Sequence, residues 1–353
     1  MEDLKTTHEI FFSNSNSMDE LDSESIDLIV TSPPYPMIEM WDGVFSRLNE
    51  HIKMALSEGN DRVAFGLMHE ELARSWTECM RVLKKGGMIC INVGDATRSF
   101  NGEFQMYSNH SEITNFFCSN NFVQLPGIIW RKQTNSPNKF MGSGMLPTNA
   151  YVTLEHEHIL IFRKGRTKRK FKPKLEERYE SAYFWEERNK WFSDLWDKVK
   201  GTFQTIDINT SDTIRERSAA FPLEIPYRLI SMFSIYEDCI LDPFWGTGTT
   251  SIAAALLKRN SVGYEINEGF YDLFREKITN LPKISAELNL KRMERHRTFI
   301  ESRFKDEEKI KYVSKPYNFP VITRQEENIA FYHVVEVDSD DSLIRVTYDS
   351  QNL

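Results

Sequence analysis

Cysteine is scarce in this chain: Cys79, Cys90, Cys118 and Cys239 are the only four among 353 residues, and no two form a Cys-x-x-Cys pair. That scatter excludes a disulfide framework, gives no zinc-ligand spacing and suits the reduced thiols of a cytoplasmic protein, so no metal is expected. Long apolar runs are also missing, none approaching the roughly 20 residues that span a bilayer, so no membrane contact is expected. The opening MEDLKTTHEIFFSNSNS has no basic stretch followed by an apolar one, so no secretory leader is read there. There is no internal repeat and no low-complexity tract. Positive charge is in deficit, with 44 Lys+Arg against 52 Asp+Glu, and that net charge of -8 would by itself argue against a nucleic-acid partner. The sum hides a local excess: Arg163 to Lys174 holds eight basic residues and no acidic one.

A 27% charged fraction and 12% aromatic content exclude a disordered chain, and the length supports a large core without covalent staples. Apolar runs alternate with helical patterns, which predicts an α/β fold with a mostly parallel sheet. Strands are expected at Asp27–Val30, Met88–Val93, Gly127–Trp130, His158–Phe162, Cys239–Asp242 and Ser261–Glu265. Helices are expected over 67–83, stopped by Gly86-Gly87, over Thr250–Lys258 and near 268–280. After about residue 284 the alternation stops. A mixed-charge helical stretch (285–311) and β-like runs such as Leu343–Tyr348 predict an accessory region outside the core sheet.

Two motifs carry chemistry. Leu241-Asp-Pro-Phe-Trp-Gly-Thr-Gly-Thr-Thr250 ends a strand and opens a helix. Its glycines let backbone approach a ligand, and the helix start favours a carboxylate or phosphate. It has no P-loop lysine, and Ser251 replaces the third glycine of a dinucleotide fingerprint. Acidic Glu265, at the next strand end, is placed to bind the two hydroxyls of a ribose. In the second motif, Thr31-Ser-Pro-Pro-Tyr35, consecutive prolines hold a stiff extended loop. A Ser32 hydroxyl, the Pro33 carbonyl and the Tyr35 ring suit a planar base bearing an exocyclic amine.

Together these segments resemble the S-adenosylmethionine-dependent amino-methyltransferases of DNA, which act on cytosine N4 or adenine N6. The order, with Ser-Pro-Pro-Tyr first and the glycine turn last, is similar to the beta group. Arg81–Gly87 with its following strand, Trp130-Arg-Lys, Glu157–Lys164 and Ala220–Pro226 resemble further family segments, so the likeness spans roughly residues 10–282. It implies a Rossmann-like fold with the cofactor S-adenosyl-L-methionine. Asp242, Pro243, Phe244, Gly246 and Gly248 would hold its methionine end, with Thr249 and Thr250 at the helix start. Glu265 would take the ribose, Phe221 and Pro222 would pack from a neighbouring helix, and Asn16 would stand where an acid is common. Ser32, Pro33, Pro34 and Tyr35 would form the catalytic loop, with Tyr35 stacked on a flipped base.

The chemistry asks for alignment rather than a strong base or a metal, because a sulfonium is already electrophilic. Methylation of a ring carbon would need a Pro-Cys nucleophile, and none of the cysteines follows proline. Serine at the head of the Pro-Pro motif is typical, by resemblance, of cytosine-N4 enzymes. The resemblance therefore implies a site-specific cytosine-N4 methyltransferase acting on double-stranded DNA, the modification half of a restriction–modification system. Adenine-N6 methylation, an amine of RNA or protein, and a non-catalytic DNA- or cofactor-binding module are the alternatives. A cognate endonuclease, a monomeric or homodimeric state, and a cytoplasmic, nucleoid-associated location in a bacterium or archaeon go with this reading.

The basic run Arg163, Lys164, Arg166, Lys168, Arg169, Lys170 and Lys172 is the expected phosphate-contacting element. The expected division is a core of residues 1–165 and 214–283, a target-recognition insertion over 166–213 and an accessory region over 284–353. His156 and His158, with no Cys or third His near in sequence, are expected to be structural.

Overall fold

The computed structural model describes residues 4–132, 141–199, 221–304 and 311–349. Its main sheet has ten strands. In chain order they are β1 (Leu4–Phe11), β2 (Ile26–Thr31), β3 (Leu83–Val93), β4 (Phe122–Arg131), β5 (His156–Lys164), β6 (Leu195–Trp196), β7 (Cys239–Asp242), β8 (Asn260–Tyr264), β9 (His333–Asp340) and β10 (Leu343–Asp349). Across the sheet the order is β6-β4-β5-β3-β2-β7-β8-β1-β10-β9. The five central strands, β3 to β1, are parallel. β5 runs against both β3 and β4, and β10 runs against β1.

Helices cover both faces, as a parallel sheet requires. α1 (Asp61–Val82) and α2 (Asn109–Ser119) bury Met68, Trp76 and Phe117 against Ile29, Ile89 and Ile91. On the other face, α3 (Glu224–Phe233), α4 (Thr249–Leu256) and α6 (Leu281–Arg303) set Ile230, Ile252 and Leu288 in one apolar cluster with Leu28, Val30 and Ile240. α5 (Phe270–Ile278) follows β8 and adds Phe274 to that second core. Successive residues of β2 thus serve opposite faces, so all six are buried. No helix of the described residues is long and apolar enough to cross a membrane.

The strands lie where the apolar runs predict them, and four differences stand out. The first helix begins earlier, at Asp61, and ends at Val82; Gly86-Gly87 lies inside β3 rather than at a helix stop. Gly86 has φ +79°, and a Cβ there would lie 2.7 Å from the Arg169 backbone nitrogen, so this glycine admits the basic segment against the sheet. β1 carries no expected strand signal because Thr6 and His8 occupy its inward positions beside Ile10. The region after residue 284 is not outside the core: α6 packs on it, and β10 pairs with β1 from Leu4↔Tyr348 to Glu9↔Leu343.

The insertion also departs from expectation. Of 166–213, residues 200–213 lie outside the described residues, but Leu195–Trp196 joins the main sheet beside β4. The basic run sits where β5 ends, level with the start of β3, because β5 is antiparallel. Arg169 there donates two hydrogen bonds to Asp238 and pairs with Asp27 at 3.2 Å, both acids preceding or opening their strands. Lys164 donates to the Leu83 carbonyl at 2.6 Å, and Arg163 to the carbonyls of Gly165 and Arg166. Arg166, Lys168, Lys170 and Lys172 are exposed.

Candidate active site

β2 and β7 are neighbours, but the chain leaves β7 through α4 towards β8 and leaves β2 through α1 towards β3, on opposite faces. Such a switch point opens a crevice at the carboxyl ends of the strands. A cavity of about 770 Å³ lies there. The basic run is at the opposite end of the sheet from this cavity, because β5 runs against β3.

The glycine turn forms one wall. Gly248, the residue before α4, has φ +75°, and a Cβ on it would lie 2.7 Å from Trp245 Cζ2 while colliding with the Phe274 ring. Gly246 has φ +55°, and its missing Cβ would meet only the Phe244 carbonyl at 3.9 Å, so the backbone is open to a ligand there. Asp242 is buried and accepts from Thr31 Oγ1 and Thr250 Oγ1, each at 2.6 Å, and from the Phe244 amide at 3.1 Å. Burial outweighs these bonds and lifts its carboxyl to about 6. Glu265 accepts from the Gly246 amide at 2.8 Å and from the Asn267 amide at 2.9 Å. Its carboxyl is likewise raised by burial. Pro243, Phe244, Thr249 and Phe221 line the cavity, whereas Pro222, Gly248 and Thr250 are not among its lining residues.

Asn16 does not line the cavity; its Oδ1 accepts from Ser75 Oγ at 2.7 Å. Ser13, Asn14 and Ser15 from the end of β1 line it instead. Ser13 Oγ is buried without a hydrogen-bond partner among the described residues, a polar atom left for a ligand. Ile266, about half exposed, adds an apolar face beside Glu265. These residues carry no motif of their own, and only their position just past strand ends could have pointed to them.

Ser32, Pro33, Pro34 and Tyr35 form the facing wall. The Tyr35 ring is 8% exposed and packs against Gly94, whose Cβ would lie 3.1 Å from Tyr35 Cε2. Its hydroxyl donates to Glu157 Oε2 at 2.9 Å and accepts from Asn92 Nδ2 at 2.9 Å. Burial, then the Glu157 charge, holds that hydroxyl well above the usual tyrosine range, so it stays protonated. With its one proton directed to Glu157, the 2.9 Å contact to Ser32 Oγ must be donated by the serine. Ser32 therefore turns its lone pairs, not its proton, to the cavity. Glu157 also accepts from Asn92 Nδ2 at 2.6 Å and from Lys132 Nζ at 2.8 Å. Asn92, Lys132 and Glu157 were not singled out in the sequence because β3, β4 and β5 bring them together only in the folded sheet.

His158 does have a histidine neighbour: the His110 ring from α2 stacks on it at 4.2 Å, and His110 Nδ1 is 2.7 Å from Asp95 Oδ2. The two rings are nearly parallel, 20° apart, and with Asp95 they bring three potential ligand atoms within 4.8 Å of one another.

The chain matches the DNA methylase family model for N6 and N4 amino-methyltransferases over residues 26–276. It is 51% identical over 333 residues to the Type II methyltransferase M.MthZI of Methanothermobacter thermautotrophicus, covering 94% of this chain and 91% of that protein. It is also 51% identical to the Type II methyltransferase M.MjaI of Methanocaldococcus jannaschii, over 78% of this chain and 92% of that one. Among solved structures, TTHA0409 of Thermus thermophilus, in complex with S-adenosyl-L-methionine, aligns with TM-score 0.58 and 30% identity over 76% of this chain and 94% of its own. With a parallel sheet, a switch-point cavity and both motifs on its walls, the chain belongs to the N6/N4 DNA methylase family.

Proposed function

We propose that this protein transfers a methyl group from S-adenosyl-L-methionine to the N4 amine of cytosine in double-stranded DNA, as the modification enzyme of a restriction–modification system. The observation that carries the reading is the orientation of Ser32, which offers lone pairs to the cavity. An exocyclic amine donates and an oxo group does not, so this wall accepts an amino base and leaves a carbonyl oxygen unpaired against another acceptor. Serine at this position, by resemblance to the family, favours cytosine over adenine. The Type II relatives support the modification role.

The cavity suits the cofactor. The open side of Gly246, the unpartnered Ser13 hydroxyl and two buried acids match a ligand with a polar chain, a ribose and positive charge. Asp242 would face the methionine end, Glu265 would take the ribose hydroxyls and Ile266 would bear on the adenine. When bound, the sulfonium supplies an activated methyl group. The protein's part is to hold the amine in line with it and exclude water. An aromatic amine is a weak nucleophile because its lone pair is delocalised into the ring. Acceptors at Ser32 and the Pro33 carbonyl favour the pyramidal nitrogen of the transition state over the planar ground state. The base reaches them by flipping out of the duplex at a cost of a few kcal/mol.

The test is transfer of labelled methyl groups to unmethylated duplex DNA, followed by mass analysis of the nucleosides. N4-methylcytosine is the expected product. N6-methyladenine would overturn the choice of base, and no transfer to any duplex would overturn the reading itself.

A further inference from the structure

The hydrogen-bonded groups behind Ser32 form a directed chain. Ser32 donates to Tyr35, Tyr35 donates to Glu157, and each contact is 2.9 Å. Every donor points away from the cavity and every link ends nearer a carboxylate. Asn92 cross-braces the last link by donating to both the Tyr35 and Glu157 oxygens, and Lys132 holds the other carboxylate oxygen at 2.8 Å. Four segments supply these groups: the loop after β2 and the strand ends of β3, β4 and β5. Lys132 is about half exposed, so the far end of the chain touches solvent while the near end faces the cavity. A merely structural tyrosine needs one acceptor. This one is held in the middle of a line running from substrate to water.

We propose that Glu157, acting through Tyr35 and Ser32, is the terminal acceptor for the proton that the substrate amine sheds as it is methylated. The inference rests on the methyltransferase reading above. As the nitrogen–methyl bond forms and the sulfur–methyl bond breaks, positive charge builds on the amine nitrogen, and one of its two protons leaves in the same step. That proton passes to Ser32 Oγ as the Ser32 proton moves to Tyr35 Oη and the Tyr35 proton moves to Glu157 Oε2. The product amine is then neutral, Ser32 and Tyr35 regain their starting composition, and the carboxyl group releases the proton to water beside Lys132. No base at the nitrogen itself is needed, and Glu157 is a positioning residue rather than one that touches the substrate.

The experiment compares single-turnover methyl transfer by the wild-type protein, Glu157→Gln and Tyr35→Phe between pH 6.5 and 9.5. Cofactor affinity and thermal melting of each protein are measured alongside. Glutamine keeps the size and the acceptor oxygen but cannot hold the proton; phenylalanine keeps the ring and breaks the chain. Both variants are expected to bind cofactor within about threefold of wild type and to transfer methyl at least tenfold more slowly at pH 7. The rate should recover as pH rises, because hydroxide can then take the proton directly, while the wild-type profile stays flat over that range. The double variant should be no slower than the worse single one. A Glu157→Gln protein with the wild-type rate, or one whose profile runs parallel to wild type, overturns the relay while leaving the methyltransferase reading intact. If Glu157→Gln fails to fold, Tyr35→Phe decides alone: a wild-type rate or a parallel profile overturns the relay. Absence of transfer by the wild-type protein overturns both.

Discussion

Asp242 shows how one residue couples ionisation, stability and ligand binding. In the unfolded chain an aspartate titrates near its ordinary 3.8, whereas burial lifts the folded group to about 6. The ionised form is thus disfavoured by folding: the penalty is absent below about pH 4, grows between pH 4 and pH 6, and reaches about 3 kcal/mol above pH 6. A cationic ligand reverses the preference. Cofactor affinity should therefore be constant above pH 6 and weaken below it, approaching tenfold per pH unit, as titration calorimetry from pH 5 to 8 would record. Asp242→Asn should lose both the affinity and its slope. A slope that survives in this variant would place the titrating group elsewhere. The motif made Asp242 legible from the sequence, because Asp-Pro-Phe and two glycines constrain one local turn. Glu157 was not legible as part of the site, since its meaning comes from strand neighbours distant along the chain.

At the level of elements, the two glycines of the turn do different work, and substitution separates them. Gly248→Ala meets a left-handed backbone and a collision with Trp245 and Phe274, so it should lower stability by about 2–4 kcal/mol. Gly246→Ala meets only backbone strain of about 1–2 kcal/mol, but its methyl group projects towards the cavity. It should keep most of the melting temperature and lose cofactor affinity disproportionately; equal losses at both positions would contradict this division. The central strands were legible because they are apolar runs buried on both faces. β1 was not, since its inward face is built from polar groups that satisfy one another: Thr6 Oγ1 lies 2.8 Å from Tyr348 Oη, and His8 Nδ1 lies 2.8 Å from Ser261 Oγ. Burial lowers the His8 imidazole to about 3, so it stays neutral and behaves as core. The basic run was legible as charge but its place was not, because the direction of β5 decides which end of the sheet receives it.

For the molecule as a whole, the carboxyl-terminal hairpin of β9 and β10 is part of the core. It buries Val334, Ile344, Val346 and Tyr348. At about 1.5–3 kcal/mol each, these side chains contribute roughly as much as a whole domain's net stability. Removing residues 333–353 should leave β1 as an exposed edge strand over an opened core and give an insoluble or unfolded chain, read by soluble yield and circular dichroism. A truncated protein that melts like the full one would show the hairpin to be an ornament. The pairing of Leu4 with Tyr348 has a wider consequence. Leu4 and Tyr348 lie side by side on neighbouring strands, so the described part of the chain is almost a closed ring. A short bridge there and a cut at the exposed turn of Asn101 and Gly102 would change which motif is synthesised first without moving any wall of the cavity. The linear order of motifs is then a record of where the ring happens to be open, and the geometry is indifferent to it.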